Sequence, residues 1–330
     1  MMVFNLCLIT VIVMRIHLIE AITRLQNGEV VAIPTETVYG LAADATNESA
    51  LRQIYAIKQR PADNPLIVHI SDIDQVNQWV AEFPPLAQTL AKAFWPGPLT
   101  LVLPAKAQVS TIVRAGEPTI ALRVPNHPLA LALLKQSGLT LAAPSANKYT
   151  QLSPTTAMHV ENGLGKELPV LDGGACQVGI ESTIVSVVDN QWRILRHGMI
   201  SESELKNIAN QPALKTVDHL PKVPGQHLLH YSPKTPLRLC QTRTQLLAVS
   251  QQLVAENSSH VALLFGESGV DDLPPCQYLN LEADANRAAE ALYAILHQLD
   301  DYKSSNILVQ MPPNSPEWLA ILDRLSRAVH

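Results

Sequence analysis

The chain has 330 residues, enough for about two domains of roughly 150 residues each. Hydrophobic residues make up 47% and charged residues 16%, which excludes a disordered chain and allows a sizeable core. Lys and Arg number 24 against 29 Asp and Glu, a net charge of −5, which argues against an extended basic surface for nucleic acid but leaves room for a local basic pocket. Cys7, Cys176, Cys240 and Cys276 are scattered and form no CxxC pair, so neither a zinc site nor a disulfide framework is expected. Reduced thiols in a cytoplasmic protein fit that pattern.

Residues 1–13, MMVFNLCLITVIV, are apolar and uncharged. A bilayer span needs about 20 apolar residues, so they are too few to cross a membrane. They lack the cationic start and cleavage site of a signal peptide. The expectation is a spurious or disordered extension with Met14 as the true start; an extra N-terminal strand is the alternative. From Ile16 to about Glu204, β-branched runs alternate with amphipathic ones. Strands are expected at 29–34, 65–70, 99–105, 119–125, 139–145, 169–174, 181–188 and 192–198, most of them ending in Pro, Gly or Asn. Helices are expected at 18–27, 48–58, 72–81, 84–93, 127–137, 155–162 and 201–209, with Asn47 and Ser71 as N-caps. Near-continuous apolar strands point to a sheet covered on both faces, or nearly so. The first domain, 14–205, is therefore α/β with an open, twisted, mixed sheet. Residues 206–236 carry five prolines and read as a linker or lid. Residues 237–330 resume the alternation as a smaller Rossmann-like α/β domain: strands at 237–240, 261–266, 278–281 and 307–311, helices at 243–256, 284–299 and 315–329. It lacks GxGxxG, so dinucleotide binding is not expected.

Six motifs leave polar residues at strand ends: PTETVYG (34–40), KQRPADNP (58–65), PLIVHI (65–70), TIALRVP (119–125), APSANKYTQLSP (143–154) and GIESTIVSV (179–187). Taken one at a time, each is ordinary turn chemistry. As a set they gather cations and hydroxyls. Lys58 and Arg60, two apart beside a proline, suit a polyphosphate. Arg123 is the charge in an otherwise apolar run and needs an anionic partner: a structural carboxylate or that of a substrate. His69 at a strand end is more often a hydrogen-bonded core residue than a catalyst. Ser145 and Asn147 supply short donors and acceptors, but no GxSxG elbow or Walker A pattern occurs. The set suggests a nucleotide or phosphate site that is not a P-loop.

In that order, PTETVYGL, KxRPxxNPL with IVHI, ALRVP, APSAN, GxESTIV and ILRHG resemble the threonylcarbamoyl-AMP synthase family, the YrdC-type fold, over residues 29–198. The tail HYSPKTPL (230–237) with the small α/β domain is similar to the family's longer, two-domain members. The resemblance implies an enzyme that joins L-threonine, bicarbonate and ATP into threonylcarbamoyl-adenylate, releasing pyrophosphate. Other proteins, a downstream threonylcarbamoyl transferase complex, would then modify tRNAs reading ANN codons; tRNA would be met indirectly or weakly, and no membrane is implied. Carried over by motif, Thr37, His69, Arg123, Ala143 and Ser182 would form the threonine site, with Ala143 standing where many members have Thr. Lys58, Arg60, Asn64, Thr119, Ser145, Asn147, Ser153 and Arg196 would surround ATP, and Tyr231 would reach back over the nucleotide. Mg²⁺ would be bound mainly through the ATP phosphates, with no metal ligand from protein side chains. The lid would exclude water from a labile carbamate and mixed anhydride. Two further readings stand beside this one. A non-catalytic double-stranded RNA or tRNA binder of the same fold is disfavoured by 14 Lys and Arg against 17 Asp and Glu in residues 1–205. A carbamoyl-transfer relative from hydrogenase maturation would want acylphosphatase and zinc-finger modules.

Overall fold

The computed structural model describes residues 14–214, 220–226, 229–266 and 274–329. The expected extension, 1–13, lies outside the described residues. Ten strands form one mixed sheet: β1 (Arg15–Ile16), β2 (Val31–Ile33), β3 (Gly40–Asp44), β4 (Ile67–His69), β5 (Leu99–Pro104), β6 (Thr119–Arg123), β7 (Leu141–Ala142), β8 (Val170–Leu171), β9 (Thr183–Val188) and β10 (Gln191–Arg196). Their order is β1-β8-β2-β3-β7-β4-β6-β5-β9-β10. Six helices accompany them: α1 (Leu18–Gln26), α2 (Glu48–Lys58), α3 (Pro85–Phe94), α4 (Pro128–Ser137), α5 (Ala157–Leu164) and α6 (Glu202–Ala209).

Helix α2 shows how sequence fixes position. Asn47 caps it by accepting from the Ser49 and Ala50 amides, and Glu48 lies at its positive end. Its buried residues, Ala50, Leu51, Ile54, Tyr55 and Lys58, form one helical stripe. Lys58 is the last member of that stripe, so the packing that buries the helix carries an ammonium group inside.

Some elements differ from expectation. Residues 72–81 form a short 3-10 turn at Ile73–Gln78, capped by Asp72 and not Ser71. The Ser71 hydroxyl donates instead to Asp72. Just beyond, Val80 bridges Ala105 and the Ala81 amide bonds to Pro104 O, so sheet pairing ends the helical path. The PTETVYG stretch joins the two arms of an antiparallel pair, with Ile33 opposite Gly40. Its return strand, β3, is small-residue-rich and gives no β-branched signal. Helix α6 runs to Ala209, so irregular backbone begins at Asn210, four residues after Lys206, the expected start of the linker.

The second unit has four parallel strands, β11 (Leu237–Cys240), β12 (His260–Phe265), β13 (Gln277–Leu281) and β14 (Asn306–Gln310), in the order β11-β14-β12-β13. Helices α7 (Arg243–Ala255), α8 (Ala285–Asp301) and α9 (Leu319–Ala328) cover it. The two units share a core. Val38, Leu152 and Ile180 of the first and Tyr231 of the linker join Leu292, Tyr293, Ile321 and Leu325 of the second in one apolar cluster.

Sheet register positions the site. In β4 and β6, His69 is paired with Arg123 and Ile67 with Ala121. In β5 and β9, Val102 pairs with Ala121 and Thr100 with Ile184. Paired residues point to the same side. One sheet face therefore carries Ile67, Ala121, Val102 and Ile184 as an apolar floor, with the polar residues at its end. Val223 of the linker packs on that floor. The linker, in place of a helix, covers this part of the sheet.

Candidate active site

A cavity lies between the polar end of that sheet face and the linker. Thr37, Arg60, His69, Arg123, Ala143, Ser145, Ser182, Arg196 and Tyr231 line it, as do Thr35, Glu181, Pro224, Gly225 and His230. Nine of the residues singled out in the sequence are thus brought together from the turn before β3, the loop after α2, the ends of β4, β6, β7 and β10, the start of β9, and the linker.

Two ends of the cavity differ in chemistry. At one, Thr35 Oγ1 lies 2.9 Å from Thr37 Oγ1 and donates to Val38 O, which fixes the turn. Arg123 Nη1 donates to Thr37 Oγ1 at 2.9 Å and its Nε to Gly97 O. Arg123 Nη2 lies 2.6 Å from Glu36 Oε1, and both side chains are buried. The lone cation of the apolar strand thus has a protein carboxylate partner two residues into PTETVYG, and Glu36 belongs to the site. Tyr39 does not: its hydroxyl donates to Gly174 O and braces the scaffold. His69 is buried beside Arg123, and burial first, then that guanidinium, push its imidazole down to about 3. It is neutral at ordinary pH.

At the other end the groups are cationic. Lys58 Nζ donates to Ser145 O at 2.5 Å and to Asn147 O at 2.6 Å, so it stands immediately behind the APSAN wall. Burial, then neighbouring Arg60, lower its pKa well below the usual value. Arg60 donates to Pro65 O and lies 5.8 Å over the Tyr149 ring. Arg196 Nη2 donates to Ser182 O at 2.9 Å, and its Nη1 to Pro224 O of the linker. Ser182 Oγ is 2.7 Å from Thr100 Oγ1. Arg60 Nε, His69 Nδ1, His230 Nδ1 and the Tyr231 hydroxyl are buried with no protein partner for that atom. Buried polar groups are rarely left so, and these supply hydrogen-bonding capacity to a ligand.

The remaining sequence candidates sit outside the lining. Asn147 holds Gln151 O through its Nδ2. Ser153 Oγ donates to Glu181 Oε1 at 2.5 Å, so it is one residue removed from the cavity. Asn64 is buried in the loop after Arg60 and donates to Asp63. Thr119 stands at the opposite end of β6 from Arg123, opposite Pro104, on the same sheet face. Sequence reasoning passed over Glu181, His230 and Arg324. Glu181 is bonded by Arg324 Nε at 2.8 Å from α9 and by the Tyr293 hydroxyl from α8. A signal existed: Arg324 is a charge on the apolar stripe of α9, beside buried Ala320, Ile321, Leu325 and Ala328. Among the described residues, no group of three or more His, Cys, Asp or Glu is placed to hold a metal ion, and no helix is long and apolar enough to cross a membrane.

A mixed α/β sheet with a cation-rich cavity, roofed by a linker that a second α/β unit anchors, defines a two-unit α/β protein with one polar cleft at the sheet's end. The family profile described as "Telomere recombination" (Sua5_yciO_yrdC) matches residues 23–198, and that described as "Threonylcarbamoyl-AMP synthase, C-terminal domain" (Sua5_C) matches residues 200–329. The chain belongs to the Sua5/YrdC family, in its long, two-domain form. It is 39% identical to a threonylcarbamoyl-AMP synthase of Bacillus subtilis over 317 residues, covering 94% of this chain and 92% of that one. It is 38% identical to the Schizosaccharomyces pombe protein of the same name, covering 90% and 84%. The crystal structure of Pyrococcus abyssi Sua5 complexed with L-threonine superposes with a TM-score of 0.85 at 33% identity and covers 96% of both chains.

Proposed function

We propose that this protein is an L-threonylcarbamoyladenylate synthase, a nucleotidyltransferase that forms threonylcarbamoyl-AMP and pyrophosphate from L-threonine, bicarbonate and ATP. The observation that carries the reading is the two-ended cavity: hydroxyls with a paired guanidinium at one end, a cluster of buried cations at the other. In this assignment Thr37, His69, Arg123, Ser182 and the Ala143 backbone hold threonine. A neutral His69 suits contact with an amine or carbamate, since it adds no charge of its own.

Lys58, Arg60 and Arg196 face the nucleotide, with Ser145, Asn147 and, more remotely, Asn64, Ser153 and Thr119. Thr119 and Ala121 share the sheet face on which the nucleotide would lie, where Val223 now packs. The attack of a threonine carbamate on the α-phosphate brings two anions together. The buried cations offset that repulsion with little reorganisation, since hydrogen bonds to main-chain carbonyls already aim them. Glu181, the lining carboxylate on this side, is already met by Arg324. This donor set suits Mg²⁺ carried on the phosphates and water rather than held by the protein. When bound, the ion would neutralise phosphate charge. Tyr231 and His230 close the cavity and exclude water from the carbamate and the mixed anhydride. The product would pass to a downstream transferase that modifies tRNA, in a cytoplasmic setting.

The test is pyrophosphate release from ATP and bicarbonate, with and without L-threonine. A threonine-dependent signal is expected. Folded protein that gives none defeats the reading.

A further inference from the structure

The second domain reaches into the wall of the first. Arg324 of α9 is 1% exposed. Its Nε lies 2.8 Å from Glu181 Oε2, its Nη2 donates to Glu181 O, and its guanidinium sits 5.0 Å over the Tyr231 ring. Outside, Asp323 holds its Nη1 at 2.7 Å. Glu181 in turn accepts from Ser153 Oγ at 2.5 Å and from the Tyr293 hydroxyl at 3.1 Å. One guanidinium therefore fixes a carboxylate of the catalytic domain, the serine that carboxylate orients, and the tyrosine of the lid.

That carboxylate faces a cavity whose cations await a polyanion. Left bare, Glu181 would repel the triphosphate and divert Lys58 and Arg196 to itself. Buried charges stripped of their partner are costly, and the cost falls on whatever shares the site. We propose that Arg324 is a positioning residue for the nucleotide end of the active site: it cancels Glu181, orients Ser153 through it, and so makes ATP binding depend on the docked second domain. The inference rests on the synthase reading for the identity of the nucleotide.

Charge around Glu181 comes from every element packed on it: Arg324 from α9, Arg196 from β10, Lys58 from α2, with the neutral Tyr293 and Tyr231 from α8 and the linker and His230 beside it. In the intact protein Arg324, then Arg196, hold the Glu181 carboxyl down to about 2 against the pull of burial. Without Arg324, burial gains and the carboxyl titrates higher. The penalty on ATP then has a characteristic sign. It is small where the carboxyl is protonated and grows as pH rises and the bare carboxylate forms.

The experiment compares wild type, Arg324→Met, Arg324→Lys and Arg324→Met/Glu181→Gln by calorimetry with ATP and, separately, L-threonine, alongside turnover. Arg324→Met is expected to raise the ATP dissociation constant and KM by about tenfold or more, and to change the threonine dissociation constant by less than about twofold. Its ATP penalty grows as pH rises, and the double variant removes that growth. Arg324→Lys keeps the charge and a flat pH ratio. Unchanged ATP binding, or equal loss of ATP and threonine binding at every pH, overturns the proposal. If Arg324→Met does not fold, the lysine and double variants decide: an ATP penalty in the double variant that still grows with pH overturns it, and a flat one supports it. A wild type that binds ATP but shows no threonine-dependent pyrophosphate would refute the synthase reading and leave this comparison intact.

Discussion

Arg123 and Arg324 pose the same question at two places: what a buried guanidinium is for. Each stands in an apolar run, each is buried, and each holds a carboxylate within 2.8 Å, Glu36 and Glu181 respectively. Arg123 also donates to Thr37 Oγ1, which lines the cavity. A structural pair and a substrate contact are therefore compatible for it: the pair aims a guanidinium that lines the cavity. Arg123→Ala leaves Glu36 buried and unpaired and is expected to cost about 3–5 kcal/mol in urea unfolding. Adding Glu36→Gln removes the stranded charge and restores most of that. It should not restore turnover: kcat/KM for threonine stays down by about 2–4 kcal/mol in both variants. A stable and fully active double variant would return Arg123 to the scaffold. At this scale Arg123 was legible because its strand is short and otherwise apolar. Arg324 gave the same signal, spread over helical spacing, where a charge on a stripe is harder to see. Its partner, Glu181, lies 143 positions away in the chain, and no local pattern links the two.

The elements carry the site by register, and register is what a sequence states least directly. The strand before APSAN shrinks to Leu141–Ala142, whereas the strands in PLIVHI, TIALRVP and GIESTIVSV were legible from their β-branched runs. The pairing of His69 with Arg123 across β4 and β6 was not, because it is a fact of sheet order. Strand β3 was hidden by its composition, GLAAD, and PTETVYG therefore read as an ending when it is the crown between two paired strands. The linker was legible as proline-rich irregular chain, but its fit over the apolar floor was not. That fit has a tight point. Gly225 has φ +88°, and a Cβ there would fall onto the Tyr231 hydroxyl and approach Arg196. Gly225→Ala must strain the backbone by about 1 kcal/mol or more and push Tyr231 off the cavity. The expected outcome is faster proteolysis within the linker and a threonine-dependent rate down by about tenfold or more, with thermal stability changed little. Unaltered rate and proteolysis would mean that the linker is not a seal.

At the scale of the molecule, the two units share one apolar cluster. Gly179, at φ +78°, lies against the backbone of α8, and a Cβ there would fall onto the Ala289 and Glu290 carbonyls. Gly179→Ala therefore wedges the units apart at the one residue before Ile180 enters the shared cluster. It is expected to lower ATP binding along with stability. The bond of Arg324 to Glu181 crosses the same seam.

The merged core also sets the response to acid. His69 and His230 are buried in or beside the cavity, and burial is the first cause that holds each imidazole down to about 3, from an ordinary 6.5. A depressed folded pKa contributes stability that is complete above 6.5 and is lost as pH falls from 6.5 toward 3. Glu181 behaves likewise but lower, from 4.5 toward about 2. Acid unfolding should therefore begin with the histidines, well before the carboxylate. Each buried histidine can withdraw up to about 1.4 kcal/mol per pH unit in that window. Thermal melts should be level above about pH 7 and fall steadily below it. His230→Gln, which cannot take up the proton, should flatten the fall between pH 6.5 and 4.5 without moving its lower edge, where Glu181 titrates. A melting temperature that holds constant down to pH 4.5 would show that these imidazoles find water or a charge when protonated, and that the cavity they line opens in acid before the fold does.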